Sequence, residues 1–232
     1  MKLEAKRDYV RKFFSATGET YDHIVKICTF GFDGWWKQSI LTILDNPVKV
    51  LDLACGTGIL TFAIAKRFPG CQVVGIDITE GYLNVARKKG ELLQAEKVRF
   101  IQQWAEEFRS DELFDCITSS YLAKYADLSL LVKNSASMLK PGGLLLFHDF
   151  TYPHSRMIAL SWELYFRFLQ SIGSLRYPEW QNVFFELPDL IRKTRWVEEL
   201  TSAMRNNDLT DIRVKVLAFQ GATLVTGQKS FS

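Results

Sequence analysis

Cysteine, histidine and long apolar runs are scarce in this 232-residue chain, and each scarcity excludes something. The four cysteines, Cys28, Cys55, Cys71 and Cys116, are scattered, with no C-x-x-C pair. That pattern argues against a disulfide framework or a redox pair. It fits reduced, small core residues in a cytoplasmic protein. The three histidines, His23, His148 and His154, show no ligand spacing, so no metal is expected. No apolar run approaches the length of a membrane span, and the first eight residues lack the apolar core of a signal peptide. With 29 basic and 26 acidic side chains the net charge is +3, too small to argue for nucleic acid. No repeat or low-complexity linker divides the sequence. Residues 1–232 therefore read as a single domain, long enough to bury a full core.

Two phosphate-binding patterns are also missing, and the gap is informative. Val48–Leu53 reads as a buried strand, Cys55-Gly56-Thr57-Gly58 as a sharp turn, and Thr61–Phe68 as a helix. Strand, glycine turn, helix opens a nucleotide-binding α/β unit. A dinucleotide fingerprint would place a third glycine where Thr61 stands, and a P-loop would need Gly-Lys-Ser/Thr. Asp52 is read as lying inside the turn, where a carboxylate repels a pyrophosphate but suits an amine or sulfonium. S-adenosylmethionine is the ligand this favours; a tight turn with no ligand is the alternative.

Further strands are predicted at Cys71–Asp77, Lys97–Ile101, Phe114–Ser120 and Gly143–Phe150, alternating with helices at Glu80–Lys89 and Asp127–Leu139. Lys140-Pro141-Gly142-Gly143 reads as a helix terminator and turn. Thr210–Phe219 and Ala222–Thr226 read as a closing antiparallel pair. The implied fold is α/β: a doubly wound, mostly parallel, seven-stranded sheet ending in an antiparallel hairpin. Ligands bind beyond the carboxyl ends of such strands. Those ends carry Asp52, Asp77, Gln103 and Trp104, Ser120, and His148 and Asp149. Asp77 follows Gly56 by about twenty residues, the interval at which an acid reaches ribose hydroxyls. It is also placed to cap the helix at Glu80, and both roles can hold.

The flanks are helical and aromatic. Residues 1–44 read as an N-terminal cap. It has an amphipathic helix at 5–15 bearing Tyr9, Val10, Phe13 and Phe14, then a Tyr21-Asp22 pair able to cover a donor's methionine end. Asp33 is predicted to N-cap a helix over 34–44, with Trp35 and Trp36 in the core or in a substrate wall. Residues 154–206 form an insert with Trp162, Tyr165, Phe166 and Phe168, read as core or as a substrate lid. A helix is expected over Leu187–Asn206, with Trp196 and Leu200 on its apolar side.

Leu51-Asp-Leu-Ala-Cys-Gly-Thr-Gly58, Asp77 and Leu139-Lys-Pro-Gly-Gly143 together resemble the class I S-adenosylmethionine-dependent methyltransferases. A closer resemblance, to the ubiquinone/menaquinone biosynthesis C-methyltransferases, rests on further pieces. They are Phe13-Phe14-Ser15…Tyr21-Asp22, Thr29-Phe30-Gly31…Trp36-Lys37, Phe114–Thr118, Phe150 with Pro153, and Phe219-Gln-Gly-Ala-Thr-Leu-Val…Gly227. The resemblance implies a class I Rossmann-like fold, S-adenosylmethionine as methyl donor, and C-methylation of a hydrophobic quinone- or quinol-like ring. By position it makes Gly56, Thr57 and Gly58 the methionine-side loop and Asp77 the ribose acid. Trp104 and Ala105 would flank adenine, and Ser120 would lie near the donor. Tyr21, Asp52, Ala54, Ile78 and Gln103 complete the expected donor site. Trp104 stands where the family usually has Asp or Asn. The family's Phe-Gly-x-Arg-Asn appears as Tyr121-Leu122-Ala123-Lys124-Tyr125, which keeps the charge but not the fork of arginine.

A phenol or quinol acceptor needs a base. His148, Asp149, Tyr121 and Lys124 are the candidates, with His148 first by its ordinary pKa, though a packed or capping role suits it equally. Two other readings stay open: an O- or N-methyltransferase on another small apolar metabolite, and a non-catalytic S-adenosylmethionine-binding partner subunit. A nicotinamide-dependent dehydrogenase is disfavoured by Thr61 and Asp52. The expected partner is a small hydrophobic aromatic or quinone-like molecule. A homodimer and peripheral membrane contact are both compatible with the sequence.

Overall fold

The computed structural model describes residues 3–231, with side chains from residue 7 onward. Met1 and Lys2 of the expected cap, the first side chains of its 5–15 helix, and Ser232 lie outside the described residues.

Four consecutive buried residues, Val50 to Leu53, leave no solvent face to β1 (Lys49–Leu53), and its place in the sheet explains why. It pairs in parallel with β2 (Gln72–Asp77) on one side and β4 (Phe114–Ser120) on the other. The sheet order is β3-β2-β1-β4-β5-β7-β6, with β3 at Val98–Gln102, β5 at Leu139–Phe150, β6 at Leu209–Leu217 and β7 at Ala222–Lys229. β7 runs antiparallel to both β5 and β6, as the closing hairpin requires. The chain winds outward in opposite directions from β1 and β4, so their carboxyl ends flank the crevice where such sheets bind ligands.

Alternation along the strands divides two cores. Leu51, Leu53, Ile117 and Phe147 face α6 (Leu128–Met138) and α10 (Trp196–Arg205). Val50, Val73, Cys116 and Leu146 face α3 (Phe32–Leu41) and α4 (Ile59–Arg67). α5 (Glu80–Leu92) joins β2 to β3. A third cluster lies apart from the sheet. Phe13 of α1 (Leu3–Phe14) and Ile24 of α2 (Tyr21–Cys28) pack there with Trp180 and with Val183 and Phe184 of α9 (Gln181–Lys193). The remaining helical segments among the described residues are α7 (Arg156–Phe168), a π-helical turn (Leu169–Gly173), the single turn α8 (Ser174–Arg176) and two short 3-10 turns (Pro178–Trp180 and Ala218–Gln220).

Local expectations shift in four places. Pro141-Gly142-Gly143 is not a separate turn but a bulge opening β5. The register jumps from Phe114–Leu139 to Cys116–Leu144, and Gly142 adopts a φ of 74°. The helix expected over Leu187–Asn206 is two helices, broken at Thr194 and Arg195, because Trp196 is drawn into the core and its Nε1 donates to the Phe150 carbonyl at 2.7 Å. Asp33 does not cap α3: Gly31, in the left-handed region, holds that position, and Asp33 is turned inward and buried. Of the tryptophan pair, Trp36 is buried in the core and also lines an apolar cavity, and Trp35 is half exposed.

Candidate active site

The glycine turn is held in place by buried side chains on the elements around it. Asp52 lies on β1 rather than in the turn, which starts only at Ala54 (φ 55°). Its carboxylate is buried and accepts from Thr61 at 2.6 Å and Thr118 at 3.2 Å, tying α4 and β4 to β1. Burial raises its pKa from 3.8 to about 6, against the two hydroxyl bonds. Asp52 also lines a small space with Lys37, Tyr21 and Ser120. Gly58 caps α4 at a φ of 82°, and a Cβ there would fall 2.6 Å from the Phe62 ring. The buried Thr57 hydroxyl donates to Asp22, which also pairs with Lys89. Asp22 thus pins α2 over the turn.

Beyond the turn lies a cavity of about 80 Å³. Ala54, Gly56 and Asp77 form one side and Gln103, Trp104 and Ala105 another; Ile78, Ser120 and Tyr21 complete it. Asp77 is almost fully buried, with its pKa raised by that burial. It accepts from the Gly56 N–H at 2.9 Å and the Thr79 N–H at 2.8 Å. It therefore fixes the turn to the start of α5, while Thr79 takes the capping position. The Arg7 guanidinium sits 4.5 Å over the Trp104 ring, a cation–π contact that brings α1 to this wall.

A second cavity, about 240 Å³ and strongly apolar, adjoins the first. Phe14, Tyr21, Tyr121 and Tyr125 line both. Its far wall comes from the insert, through Trp162, Tyr165, Phe166, Leu169 and Phe184. Among the described residues Lys124 is its one charged lining residue, only 2 % exposed, paired to the fully buried Asp149 at 2.5 Å. The ammonium also donates to the Tyr121 carbonyl at 2.9 Å and lies 4.5 Å from the Tyr125 ring centroid. Burial lowers the Lys124 pKa, with Asp149 pulling the other way.

A sequence model of the ubiE/COQ5 methyltransferase family matches residues 2–229. The chain belongs to the ubiE/COQ5 methyltransferase family. S-adenosylmethionine is its methyl donor. Among its relatives, the ubiquinone/menaquinone biosynthesis C-methyltransferase UbiE of Geobacter sulfurreducens is 27% identical over 244 residues, covering 98% of this chain and 91% of that one. The demethylmenaquinone methyltransferase of Thermus thermophilus is 29% identical over 221 residues, covering 93% and 99%. Among solved structures, the plantazolicin methyltransferase BpumL superposes with a TM-score of 0.66 at 16% identity, covering 98% of this chain and 96% of that one. The geranyl diphosphate C-methyltransferase of Streptomyces coelicolor gives 0.63 at 15%, covering 85% and 79%. These two likenesses show the fold.

The smaller cavity suits the donor of a ubiE/COQ5 methyltransferase on its own chemistry. Gly56 lines the cavity at a φ of 56°, a left-handed backbone that a side chain would strain. Asp77 sets an acid at the end of β2, and Trp104 offers a flat face. Thr57 and Gly58 shape the turn behind it, and Asp52 borders a small adjoining space with Tyr21, Ala54 and Ser120, which also line the cavity.

Of the four candidate bases, Lys124 and Tyr121 line the apolar cavity and Asp149 supports Lys124 from behind. His148 does not fit the role. Strand alternation turns it to the α3 face, where it is fully buried against Trp36 and Tyr121, and it lines neither cavity. Its Nδ1 is 2.9 Å from Ser120 Oγ, and its Nε2 has no partner among the described residues. Burial, reinforced by Lys37 and Lys124, holds its pKa well below the ordinary value, so the ring is neutral and enclosed. Reading the sequence missed Asp33 and Lys37, which form a buried pair beneath Tyr121. Their i,i+4 spacing beside two tryptophans was the available signal.

Proposed function

We propose that this chain acts in the cytoplasm and methylates a carbon of a small hydrophobic quinol-like ring; the names of its relatives, a ubiquinone/menaquinone biosynthesis C-methyltransferase and a demethylmenaquinone methyltransferase, support the carbon and the quinone-type acceptor. The observation that carries the reading is the apolar, aromatic-lined cavity sharing Tyr21 and Tyr121 with the polar one, with a single ammonium on its wall.

When bound, S-adenosylmethionine supplies an electrophilic methyl on a sulfonium, so the chain's work is placement and the handling of a proton. Gly56, Asp77, Trp104 and Ala105 would hold the donor. The aromatic wall excludes water and orients a flat ring. Two of the three Lys124 ammonium hydrogens are taken by Asp149 and the Tyr121 carbonyl, which leaves one for an acceptor oxygen. Burial lowers the Lys124 pKa and so raises the share of neutral amine, the form that takes a hydroxyl proton; the ammonium thus formed, held by Asp149, stabilises the oxyanion in a dry site. The electron density this leaves on the ring makes its carbon the nucleophile; once that carbon carries the methyl, its hydrogen leaves as a proton and Lys124 returns its own to the oxygen, so the ring is restored and one proton is released overall. Asp149 positions the amine.

The test is an acceptor screen with labelled S-adenosylmethionine and mass spectrometry of the product. Methyl on the carbon of a reduced quinone ring is expected. Methyl on oxygen, or no transfer to any quinol, would overturn the reading.

A further inference from the structure

The insert has a second face that the proposed reaction does not use. α7 runs without a break through the π-helical turn into α8, a rod of about 30 Å. One face, with Trp162, Tyr165, Phe166 and Leu169, lines the apolar cavity. The opposite face carries Met157, Leu160, Leu164, Phe168, Ile172 and Leu175, spaced by threes and fours and all solvent-exposed; Met157 and Leu175 keep 83% and 84% of their surface. Leaving such a stripe to water is costly, and a contiguous exposed apolar patch marks a contact surface.

Charge says what covers it. The other exposed positions of the rod include Arg156, Arg167 and Arg176, and none is acidic. On the helix, Arg156 and Arg167 fall along one border of the apolar stripe. The rod's single acid, Glu163, is half-buried and taken by Arg192 at 2.8 Å. An apolar stripe bordered by arginines is how an amphipathic helix lies in a lipid interface, with its cations at the headgroups. A second copy is a poorer occupant, because antiparallel two-fold pairing of the rod would set the arginine-bearing border of each copy against the other's. The exposed rings of Phe30 and Phe219 also line the apolar cavity, so its mouth carries further apolar surface.

We propose that the outer face of the α7–α8 rod docks on an anionic lipid bilayer, so that a ring-bearing lipid enters the cavity without crossing water. The entry step rests on the hydrophobic-ring reading above; the docking rests on the rod's own residues.

The test is co-sedimentation with vesicles of phosphatidylcholine alone and of phosphatidylcholine mixed with phosphatidylglycerol. Binding to the anionic vesicles is expected. Arg156→Glu/Arg167→Glu/Arg176→Glu is expected to weaken it about a hundredfold, and Leu160→Ser/Leu164→Ser to weaken it comparably. Both variants should methylate a short-chain, water-soluble quinol like the parent, while losing methylation of a long-chain quinol held in the vesicles. No binding to anionic vesicles, or binding that both variants retain, overturns the proposal. So does a dimer, seen by light scattering, that the same substitutions dissociate. Vesicle binding with neither quinol methylated leaves the docking surface standing and removes the acceptor reading instead.

Discussion

The Tyr121 hydroxyl donates to Asp33 Oδ1 at 2.6 Å, joining residues 88 positions apart. Asp33 also pairs with Lys37 one turn further along α3. Tyr121 follows β4 at a φ of 72°, a left-handed conformation that costs a bulky residue about 1–3 kcal/mol and persists only where its surroundings impose it. Here they do: the ring stacks on Phe150 at 4.7 Å, the hydroxyl is held by Asp33, and the backbone N–H donates to the His148 carbonyl. The same side chain lines both cavities. The bond therefore sets how the N-terminal cap meets the catalytic edge of the sheet.

Tyr121→Phe keeps the ring and removes only that bond. A hydrogen bond to a charged group is worth about 1.5–3 kcal/mol, so a fall in kcat/KM of about tenfold or more is expected. Tyr121→Ala, which also opens the shared wall, should lose far more. Steady-state kinetics on both variants decide it: a Tyr121→Phe enzyme with parental constants makes the bond incidental.

Lys124→Arg separates charge from proton transfer. Arginine keeps the cation beside Asp149 but cannot give up its proton, so loss of a proton acceptor should lower kcat by about 100-fold or more while the donor still raises the melting temperature. The acid limb that Lys124 gives the pH–rate profile of the parent should vanish with it. Lys124→Met alone leaves Asp149 as a buried unpaired charge and should cost about 3–5 kcal/mol of stability; adding Asp149→Asn should restore much of that without activity. An active Lys124→Arg enzyme would assign the proton to another group.

The donor side was legible in the sequence because its parts are local. The glycine turn, the acid at the end of β2 and the strand ends each carry a period or a spacing, and parallel winding brings them to one edge without further information. The acceptor side was not, because its parts are relational. Nothing in the alternation of β5 says that α3 will cover His148 and leave Asp149 beneath Lys124. Nor does the apolar pattern of α7 say that its inner face walls a cavity, since core and cavity wall call for the same residues. Asp33 was misread for a related reason: a carboxylate beside a helix start is the common cap, and only the glycine at position 31 displaces it.

Asp77→Asn tests the link between the turn and the donor. The carboxylate holds two backbone N–H groups at once, and an amide must present its NH2 to one of them. A loss of about 1–3 kcal/mol in stability is expected from the unsatisfied N–H, along with at least a tenfold loss of affinity for S-adenosylhomocysteine by calorimetric titration. Parental affinity in a folded variant would place the donor elsewhere.

Asp52→Asn reads out burial through pH. Asp52 binds its proton more tightly in the folded state, its pKa rising from 3.8 to about 6. Its favourable contribution is therefore complete below the unfolded value and is lost as pH rises through the folded one, which leaves a buried carboxylate that burdens the parent at neutral pH. Asparagine carries no charge to bury and can still accept from one threonine while donating to the other. The stability of Asp52→Asn relative to the parent should thus increase by up to about 3 kcal/mol between about pH 4 and pH 7, the free energy of a shift from 3.8 to about 6. Urea unfolding of both proteins across that range measures it. Parallel stability curves would mean that the hydroxyls of Thr61 and Thr118 fully offset the cost of burying the charge.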